Sequence, residues 1–342
     1  MGTTNTVNGQ DGHARKDVRE AVATYRGFHD EQAGGTLDVR KNGYATMVSG
    51  YYDLVTDIYE RGWGESFHFA PRVKGEPFDA SIKRHQHYIA ARLGLAPGMR
   101  VLDVGCGVGG PMREIARFSG AQVVGVNNNA YQVQKARRYN HERRLDSLCS
   151  VIEADFMRIP EPDESFHAVY AFEATCHAPD KTALFRELFR LLLPGAKIAL
   201  YEWCLTEAFN PERPMHQVIK KGIETGNGLP DILTIDATRQ CFEDAGFAII
   251  DHHDKAREGD SEVPWFHSLA GRDLSATGLR RTRVGRIASR GLVLGLEALR
   301  IAPKGTGQIT EYLHAGADAL VAAGDAGCFT PMAFFLAQKP AI

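Results

Sequence analysis

An aspartate and three glycines at alternate positions form the most informative stretch of the chain. Asp103 follows an apolar run, and Gly105, Gly107 and Gly109 come directly after it. An apolar run followed by such glycines predicts a buried strand that turns sharply into a helix. Glycine also lets the backbone approach a ligand closely. The stretch therefore predicts the first turn of a cofactor-binding αβ unit.

Two common nucleotide-binding motifs fit this stretch less well. A phosphate-binding loop ends in Gly-Lys followed by Ser or Thr, and that ending is absent here. A dinucleotide site places its acidic residue about twenty residues further on, whereas Asp103 lies within the strand itself. ATP hydrolysis is therefore disfavoured, and a nucleotide-binding unit of another kind stays open as an alternative.

The overall composition limits the class of protein. The chain has 342 residues, a formal net charge of -2 and six widely spaced cysteines. The length suits a large α/β core with an appended cap, and the charge balance disfavours a nucleic-acid partner. The cysteines lack metal-ligand spacing, so no metal site is predicted. The sequence shows no signal peptide and no apolar window long enough to span a membrane, so we expect a cytoplasmic protein.

Strands and amphipathic helices alternate along the chain, as in a parallel sheet covered by helices. After a disordered tail over residues 1–16, helical periodicity predicts helices over residues 17–32, 44–59, 81–95, 112–118, 130–139, 179–193, 236–245, 279–301 and 306–323. Apolar runs predict strands before Gly105 and over residues 122–126, 150–152, 166–172, 196–201, 247–251 and 329–337, the last of them antiparallel and closing the sheet.

A second informative stretch, residues 59–69, alternates aromatic rings with polar groups. Its rings are those of Tyr59, Trp63, Phe67 and Phe69, and its polar members include Glu65 and His68. Such a segment suits a pocket wall with π-faces and a few hydrogen-bonding tips. A loop whose rings complete a core suits the pattern equally well, so the residues alone leave both interpretations open.

Both stretches resemble motifs of the sterol 24-C-methyltransferase family. Residues 59–69 resemble its aromatic first region, and residues 102–111 resemble its cofactor loop. Further motifs that resemble the family, in the family's order, lie at residues 126–132, 173–179, 201–203 and 329–332. The resemblance runs from about Tyr51 to the C-terminus. It implies a Rossmann-like class I methyltransferase fold, with a mostly parallel seven-stranded sheet and an antiparallel last strand.

The resemblance also implies how the chain is divided. Residues 1–40 are expected to form a tail and a capping helix, and residues 41–80 the aromatic substrate-binding segment. Residues 81–202 form the core that binds S-adenosylmethionine, and residues 203–342 carry sterol-binding insertions, C-terminal helices and the final strands. The arginine-rich segment 279–301 suits either a solvated face or a helix lying on an anionic membrane.

S-adenosylmethionine is the cofactor that the resemblance implies. Asp103 would face its methionine ammonium group, Asp155 would accept from its adenine amino group, and Phe156 would pack on the adenine ring. Many methyltransferases have an acid for the ribose hydroxyls where this chain has Asn127 to Asn129, and a capping role for Asn129 stays open. The predicted cofactor-binding residues are Asp103, Gly105, Gly107, Gly109, Asn127, Asn129, Gln132, Asp155, Phe156 and Glu173.

The reaction that the resemblance implies is methyl transfer to carbon 24 of a sterol side-chain double bond. A carbocation forms, a hydride moves to carbon 25, and proton loss gives a 24-methylene product. Aromatic faces stabilise cations, and a carboxylate or imidazole removes a proton. The predicted catalytic residues are Tyr59, Glu65, His68, Glu173 and His177. The predicted substrate-binding residues are Tyr59, Trp63, Phe67, Phe69, Tyr201 and Trp203. For His68 a core role, and for Glu173 a structural acceptor role, stay open.

Two departures from the family pattern leave other interpretations open. Arg61 stands where the family commonly has an aromatic residue, and a cation beside a carbocation is unfavourable unless it points away or pairs with an acid. Ala130 stands where the family usually has an acid. The alternatives are another sterol position, an isoprenoid alkene acceptor, or a sterol carrier without catalysis. A homo-oligomer rests on the resemblance alone, and peripheral membrane contact rests on it together with the arginine-rich segment 279–301.

Overall fold

A seven-stranded mixed sheet forms the centre of the protein, whose computed structural model describes residues 18–271 and 306–341. The strands are β1 (Arg100–Val104), β2 (Gln122–Asn127), β3 (Cys149–Glu153), β4 (Phe166–Phe172), β5 (Leu192–Leu205), β6 (Ala248–Asp254) and β7 (Phe329–Gln338). Their order is β3-β2-β1-β4-β5-β7-β6. β1 to β5 are parallel, and β7 runs antiparallel to β5 and β6. The predicted α/β fold with an antiparallel last strand is confirmed.

Helices connect these strands and cover both faces of the sheet. The helices within the described residues are α1 (Val18–His29), α2 (Leu37–Asn42), α3 (Tyr44–Trp63), α4 (Phe78–Leu93), α5 (Gly110–Ser119), α6 (Ala130–Glu142), α7 (Lys181–Leu191), α8 (Pro214–Asn227), α9 (Ile235–Asp244) and α10 (Thr306–Ala326). Polar N-caps start several of them: the side chain of Asp180 accepts from the Ala183 amide, and that of Thr234 accepts from the Ala237 amide.

Successive side chains of a strand point to opposite faces, so the sheet carries a core on each side. Phe334 and Phe335 of β7 show this, because both are fully buried but lie in different apolar clusters. The ring of Phe335 lies 5.5 Å from that of Phe242 in α9. The ring of Phe334 lies 5.2 Å from that of Tyr88 in α4.

Several element boundaries differ from the sequence prediction. α3 continues past Tyr59, where its end was predicted, as far as Trp63, and the C-cap Gly64 has a φ of 81° that suits glycine. β5 starts at Leu192 and reaches Leu205, because the chain passes from α7 directly into the sheet. β7 does not close the sheet at its edge, since it lies between β5 and β6.

Two predicted segments lie outside the residues that the structure describes, and one observed helix was not predicted. The tail over residues 1–16 and the arginine-rich helix over residues 279–301 lie outside the described residues. The short helix α2 was not predicted from the sequence. None of the helices within residues 18–271 and 306–341 combines the length and apolar character that a membrane crossing requires.

Two helices after the parallel strands cross at glycines. A Cβ added to Gly226 of α8 would lie 2.3 Å from the Cα of Gly316 in α10, and one added to Gly222 would lie 2.8 Å from the Cβ of Ala319. Because real side chains do not approach so closely, the two glycines of the crossing set the distance between the backbones of α8 and α10.

Replacing Gly226 with alanine should therefore destabilise the fold. We expect a loss of about 1–3 kcal/mol in the free energy of unfolding, because the added methyl group forces the helices apart. The matched control is Gly50→Ala in α3, where an added Cβ meets open space. That variant should gain about 0.5–1 kcal/mol from the better helix former. Denaturant titration measures both, and equal effects would contradict the close crossing.

Candidate active site

The glycine turn after β1 forms the floor of a cavity with an empty volume of about 620 Å³. Gly105 and Gly107 line it, and their φ angles of 71° and 55° lie in the left-handed region that favours glycine. A Cβ on Gly105 would lie 2.4 Å from the Cβ of Ala174. Gly109, with φ of 80°, is the N-cap of α5. The turn thus keeps a space that side chains would fill, and it fits a bound cofactor.

Asp103 brings a buried carboxyl group to this cavity. Its side chain is 2 % exposed, and the Tyr170 hydroxyl donates to its Oδ2 over 3.1 Å. Burial raises the pKa of Asp103 to about 7. A ligand with a positive group near this carboxyl would offset the desolvation of its charged form, so the cavity favours a cationic ligand.

Amide side chains at the end of β2 line the same cavity. Asn127 Nδ2 donates to Gln132 Oε1 over 2.8 Å, and Gln132 Nε2 donates to the Thr56 hydroxyl over 3.0 Å. Asn129 is the N-cap of α6, where its Oδ1 accepts from the Gln132 amide and its Nδ2 donates to Asp53. Asn129 therefore occupies the capping position that the sequence left open.

The end of β3 adds an aromatic ring to the cavity. Phe156 lines it, and the ring of Tyr44 lies 6.0 Å from that of Phe156. The neighbouring Asp155 carboxylate accepts from the Tyr44 hydroxyl and, over 2.8 Å, from the Met157 amide. The predicted contact of Asp155 with an adenine amino group stays a prediction.

Helix α3 closes the cavity with Val48 and Tyr52 and is fastened to α6 by polar contacts. Lys135 of α6 forms ion pairs with Asp57 and Glu60, and the Tyr139 hydroxyl donates to Glu60 over 2.8 Å. These contacts attach one face of α3 to α6, while Tyr52 and Tyr59 of α3 line a cavity.

Two charged residues of the aromatic stretch, Glu65 and Arg61, have surroundings that differ from those of its aromatic rings. Glu65 lines the cavity but forms ion pairs with Arg113 and Arg143. Burial raises the pKa of Glu65, but the two arginines outweigh it and hold that pKa below its usual value. The carboxylate neutralises Arg113, which is 1 % exposed, and the predicted catalytic role of Glu65 stays a prediction. Arg61 is exposed to solvent.

A second, larger cavity lies beside the first and is mostly apolar, with an empty volume of about 1290 Å³. α3, α10, the end of α8 and the aromatic stretch surround it. The aromatic residues that line it are Tyr51, Tyr52, Tyr59, Trp63, Phe67, Phe69 and Trp203. Leu313, Ala317 and Leu320 of α10 supply aliphatic surface. A large apolar ligand fits such a pocket.

The two cavities share one wall. The side chains that line both are Tyr52, Phe67, His68, Glu173 and His177. A group held in the first cavity and a group held in the second would therefore meet at these residues. Four of the five were predicted as site residues, and Tyr52 was missed.

Glu173 is the acid of the shared wall. Its Oε1 accepts from the Phe69 amide over 2.6 Å, and its Oε2 accepts from Trp203 Nε1 over 2.8 Å. Burial raises the pKa of Glu173 to about 8, although these donors partly oppose the rise. The carboxyl group is thus held in a fixed orientation and gains its negative charge most readily when a cation lies nearby.

The two histidines of the wall are neutral, because burial lowers the pKa of each to about 4. His68 Nδ1 donates to the Phe69 carbonyl over 2.7 Å, so its Nε2 accepts from Gln86 over 2.8 Å. His177 Nδ1 donates to the Gly228 carbonyl over 3.0 Å, which leaves Nε2 to accept from the Tyr52 hydroxyl over 3.1 Å. Carbonyl oxygens only accept, so each tautomer follows from its partner.

The remaining aromatic predictions separate into pocket and core residues. Tyr59 lines the larger cavity, and its hydroxyl bonds the hydroxyl of Tyr51, which donates to the Gly226 carbonyl. Tyr201 lies in the sheet with its ring stacked 3.6 Å from that of His85. Its predicted substrate contact is therefore corrected to a core role, because its hydroxyl donates to the His85 carbonyl.

Helical spacing along α3 was the signal that could have identified Tyr52. Tyr52, Tyr59 and Trp63 are seven and four residues apart, which places them on one face of a helix. From the sequence this helix was predicted to end at Tyr59, which separated most of the aromatic stretch from the helix that carries its first residues.

Comparison with known proteins gives consistent matches. Residues 276–341 match the family model "Sterol methyltransferase C-terminal", and residues 102–200 match "Methyltransferase domain". The cycloartenol-C-24-methyltransferase of Arabidopsis thaliana is 48% identical over 95% of this chain and 96% of its own length. The sterol 24-C-methyltransferase of Yarrowia lipolytica is 40% identical over 98% of this chain and 93% of its own length.

Solved structures share the fold. A geranyl diphosphate C-methyltransferase from Streptomyces coelicolor, in complex with Mg2+, geranyl diphosphate and S-adenosyl-L-homocysteine, superposes with a TM-score of 0.62. The match covers 86% of this chain and 97% of that chain at 16% identity. At this identity the similarity establishes the class I methyltransferase fold and no more.

The ion pairs of Glu65 lead to a prediction about stability and pH. Glu65→Gln leaves Arg113 buried without its carboxylate, so we expect a clearly lower melting temperature at pH 7. Because the folded pKa of Glu65 is below its usual 4.5, its stabilisation is present above that pH and is lost as pH falls through the folded pKa. The difference from the wild type should therefore shrink below pH 4.5.

The matched control for this experiment is Glu142→Gln. Glu142 pairs with Arg138 over 3.6 Å, and both side chains are 58% exposed. An exposed pair contributes about 0–1 kcal/mol, so this variant should melt close to the wild type. A Glu65 variant that melts no lower than this control, or whose deficit does not change with pH, would contradict the assignment.

Proposed function

Because the chain belongs to the sterol 24-C-methyltransferase family, we propose that it transfers the methyl group of S-adenosylmethionine to carbon 24 of an unsaturated sterol side chain. The single observation that carries this proposal is the shared wall of the two cavities. A polar cavity at the glycine turn suits the cofactor, and the apolar cavity suits a sterol. Their common wall is where the methyl group and the alkene would meet.

The residues of the wall support an alkene acceptor. S-adenosylmethionine supplies an electrophilic methyl group, and the protein has to hold the acceptor in line with it and exclude water. Addition of the methyl group to an alkene leaves a carbocation on the sterol. The rings of Tyr59 and Phe67 pack edge to face with centroids 5.6 Å apart, and their faces suit cation stabilisation.

Glu173 supplies the negative charge in this proposal. Its carboxyl group lies on the shared wall, and a sterol cation there would favour its ionised form. After the hydride shift to carbon 25, proton loss from the added methyl group gives the 24-methylene product. The exposure of Arg61 supports this acceptor, because water and salt screen the charge of an exposed arginine.

We further propose that the protein takes its substrate from a membrane surface. α8 exposes Met215 and Val218, whose side chains are 66% and 65% exposed, and its other end reaches the apolar cavity at Asn227. These residues are three positions apart and share one face of the helix. Such a face suits contact with lipid, and α8 would then connect the membrane surface with the apolar cavity at its other end. A homo-oligomer stays a prediction.

Incubation with methyl-labelled S-adenosylmethionine tests the proposed reaction. The acceptors are sterols with a 24(25) double bond, their saturated counterparts, a 24-methylene sterol and linear isoprenoid alkenes. We expect label in a 24-methylene product from the unsaturated sterols, identified by mass and position analysis. Label only in an isoprenoid would replace the acceptor, and sterol binding without any labelled product would contradict the enzyme assignment.

Vesicle co-sedimentation tests the membrane proposal. Replacing Met215 and Val218 together with serine should lower the fraction bound to phosphatidylcholine vesicles severalfold, because both residues lose their apolar contact with lipid. The control is Ile250→Ser on β6, which is 47% exposed and lies on a different element. Equal binding by the double variant and the wild type would contradict contact through α8.

A further inference from the structure

We propose that Tyr52 and His177 form the proton relay that ends the reaction, an inference that rests on the proposed function. In this relay the Tyr52 hydroxyl oxygen takes the proton from the added methyl group of the sterol cation. Its own proton passes at the same time to Nε2 of His177. No role in the reaction was predicted for Tyr52 from the sequence.

The geometry of the pair supports the relay. Both residues line both cavities, so they lie where the added methyl group would be after transfer. The Tyr52 hydroxyl lies 3.1 Å from His177 Nε2, and the two rings meet edge to face at 74°. The bond from His177 Nδ1 to the Gly228 carbonyl fixes the tautomer, so Nε2 carries the lone pair.

The other two tyrosines of the pocket, Tyr51 and Tyr59, cannot do the same. The Tyr51 hydroxyl donates to the Gly226 carbonyl, and it has one proton, so the Tyr59 hydroxyl donates to Tyr51. This series of hydrogen bonds ends at an amide carbonyl, which accepts hydrogen bonds but is too weak a base to keep a proton. The chain from Tyr52 ends at an imidazole nitrogen, which is a base.

The remaining candidates on the wall are held by other contacts. Both ring nitrogens of His68 are bonded, since Nδ1 donates to the Phe69 carbonyl and Nε2 accepts from Gln86. Each Glu173 oxygen accepts one N–H bond, which keeps the carboxyl group in place as a counter-charge. Among the described residues of the shared wall, Tyr52 and His177 alone form a hydroxyl-to-imidazole pair.

The relay balances atoms and electrons. The C–H bond of the added methyl group breaks, and its electron pair forms the double bond between that carbon and carbon 24. The proton binds the Tyr52 oxygen, the O–H bond of Tyr52 breaks, and an N–H bond forms at His177 Nε2. No oxidant or further reactant takes part.

The surroundings of His177 keep its ring neutral before the transfer, and the helix end beside it partly offsets the cost of its charged form. Burial lowers its pKa to about 4, so the ring is neutral and ready to accept before each turnover. A tertiary carbocation is a far stronger acid than an imidazolium ion, so the transfer is downhill. The imidazolium then lies against Gly228, the C-cap of α8, and the carbonyl end of a helix favours a positive charge.

Product analysis with trideuteromethyl S-adenosylmethionine tests the relay. The variants are Tyr52→Phe, which removes only the hydroxyl, and His177→Gln, whose amide keeps hydrogen-bonding groups but takes up no proton. The matched control is Tyr25→Phe. The Tyr25 hydroxyl also donates to a carbonyl at the end of α8, that of Thr225, but Tyr25 is not among the residues that line the two cavities. Calorimetry measures cofactor and sterol affinity for every variant.

We expect both relay variants to transfer the labelled methyl group but to convert the sterol cation into other products. The ratio of 24-methylene product to 25-hydroxylated products and 25(26)-alkenes should fall at least about tenfold, since a positioned acid or base commonly contributes 10²–10⁴ to a rate. Deuterium in the methyl group should lower this ratio further, because the C–D bond breaks more slowly. The control should keep the wild-type ratio, and all affinities should stay close to the wild type.

The opposing outcomes are distinct. Lower total methylation with an unchanged product ratio in both relay variants would show that the pair only shapes the pocket, and would overturn the relay. A variant that binds both ligands normally but transfers no label would assign the pair to methyl transfer itself, and would also overturn it. A wild-type protein that labels no sterol would contradict the proposed function, and the relay would then have no cation to deprotonate.

Discussion

A buried ion pair fixes the short turn on which both cavities depend. Lys181 Nζ lies 3.3 Å from Glu202 Oε1 and donates to the Thr175 carbonyl over 3.0 Å, and the Thr175 hydroxyl donates to Glu202. Both charged side chains are at most 4 % exposed. Removing one partner of such a pair costs about 3–5 kcal/mol, because the other charge stays buried. The pair therefore holds the turn between Glu173 and His177, which carries the shared wall.

This turn is strained as well as buried. Glu173 has a φ of 53°, a value that residues other than glycine seldom adopt. Its backbone amide donates to the Tyr201 carbonyl, and both of its carboxyl oxygens accept N–H bonds. Strain of this kind persists where the surroundings over-determine the conformation, and it is frequent at active sites. Here the conformation directs one carboxyl group to the junction of the two cavities.

The C-terminal end of α8 organises the aromatic side of the pocket. The last carbonyls of a helix lack partners within the helix, and side-chain donors satisfy them here. Tyr25 donates to the Thr225 carbonyl, Tyr51 to that of Gly226, and His177 to that of Gly228. One helix end thus positions residues from α1, α3 and the turn after β4. The close crossing of α8 with α10 then joins this framework to the aliphatic wall.

The sequence by itself determined the sheet and the glycine turn, because those depend on local patterns, and its resemblance to a known family indicated most of the wall residues. Strands show as apolar runs, a left-handed turn requires glycine, and parallel strands bring their carboxyl ends to one edge. The tertiary structure alone decided what each side chain does. Glu65 lies beside Arg113 and Arg143 from distant segments, Tyr201 faces the core, and Tyr52 meets His177 across 125 positions. Such contacts depend on how helices and strands pack, and no local sequence pattern predicts which distant residue a side chain contacts.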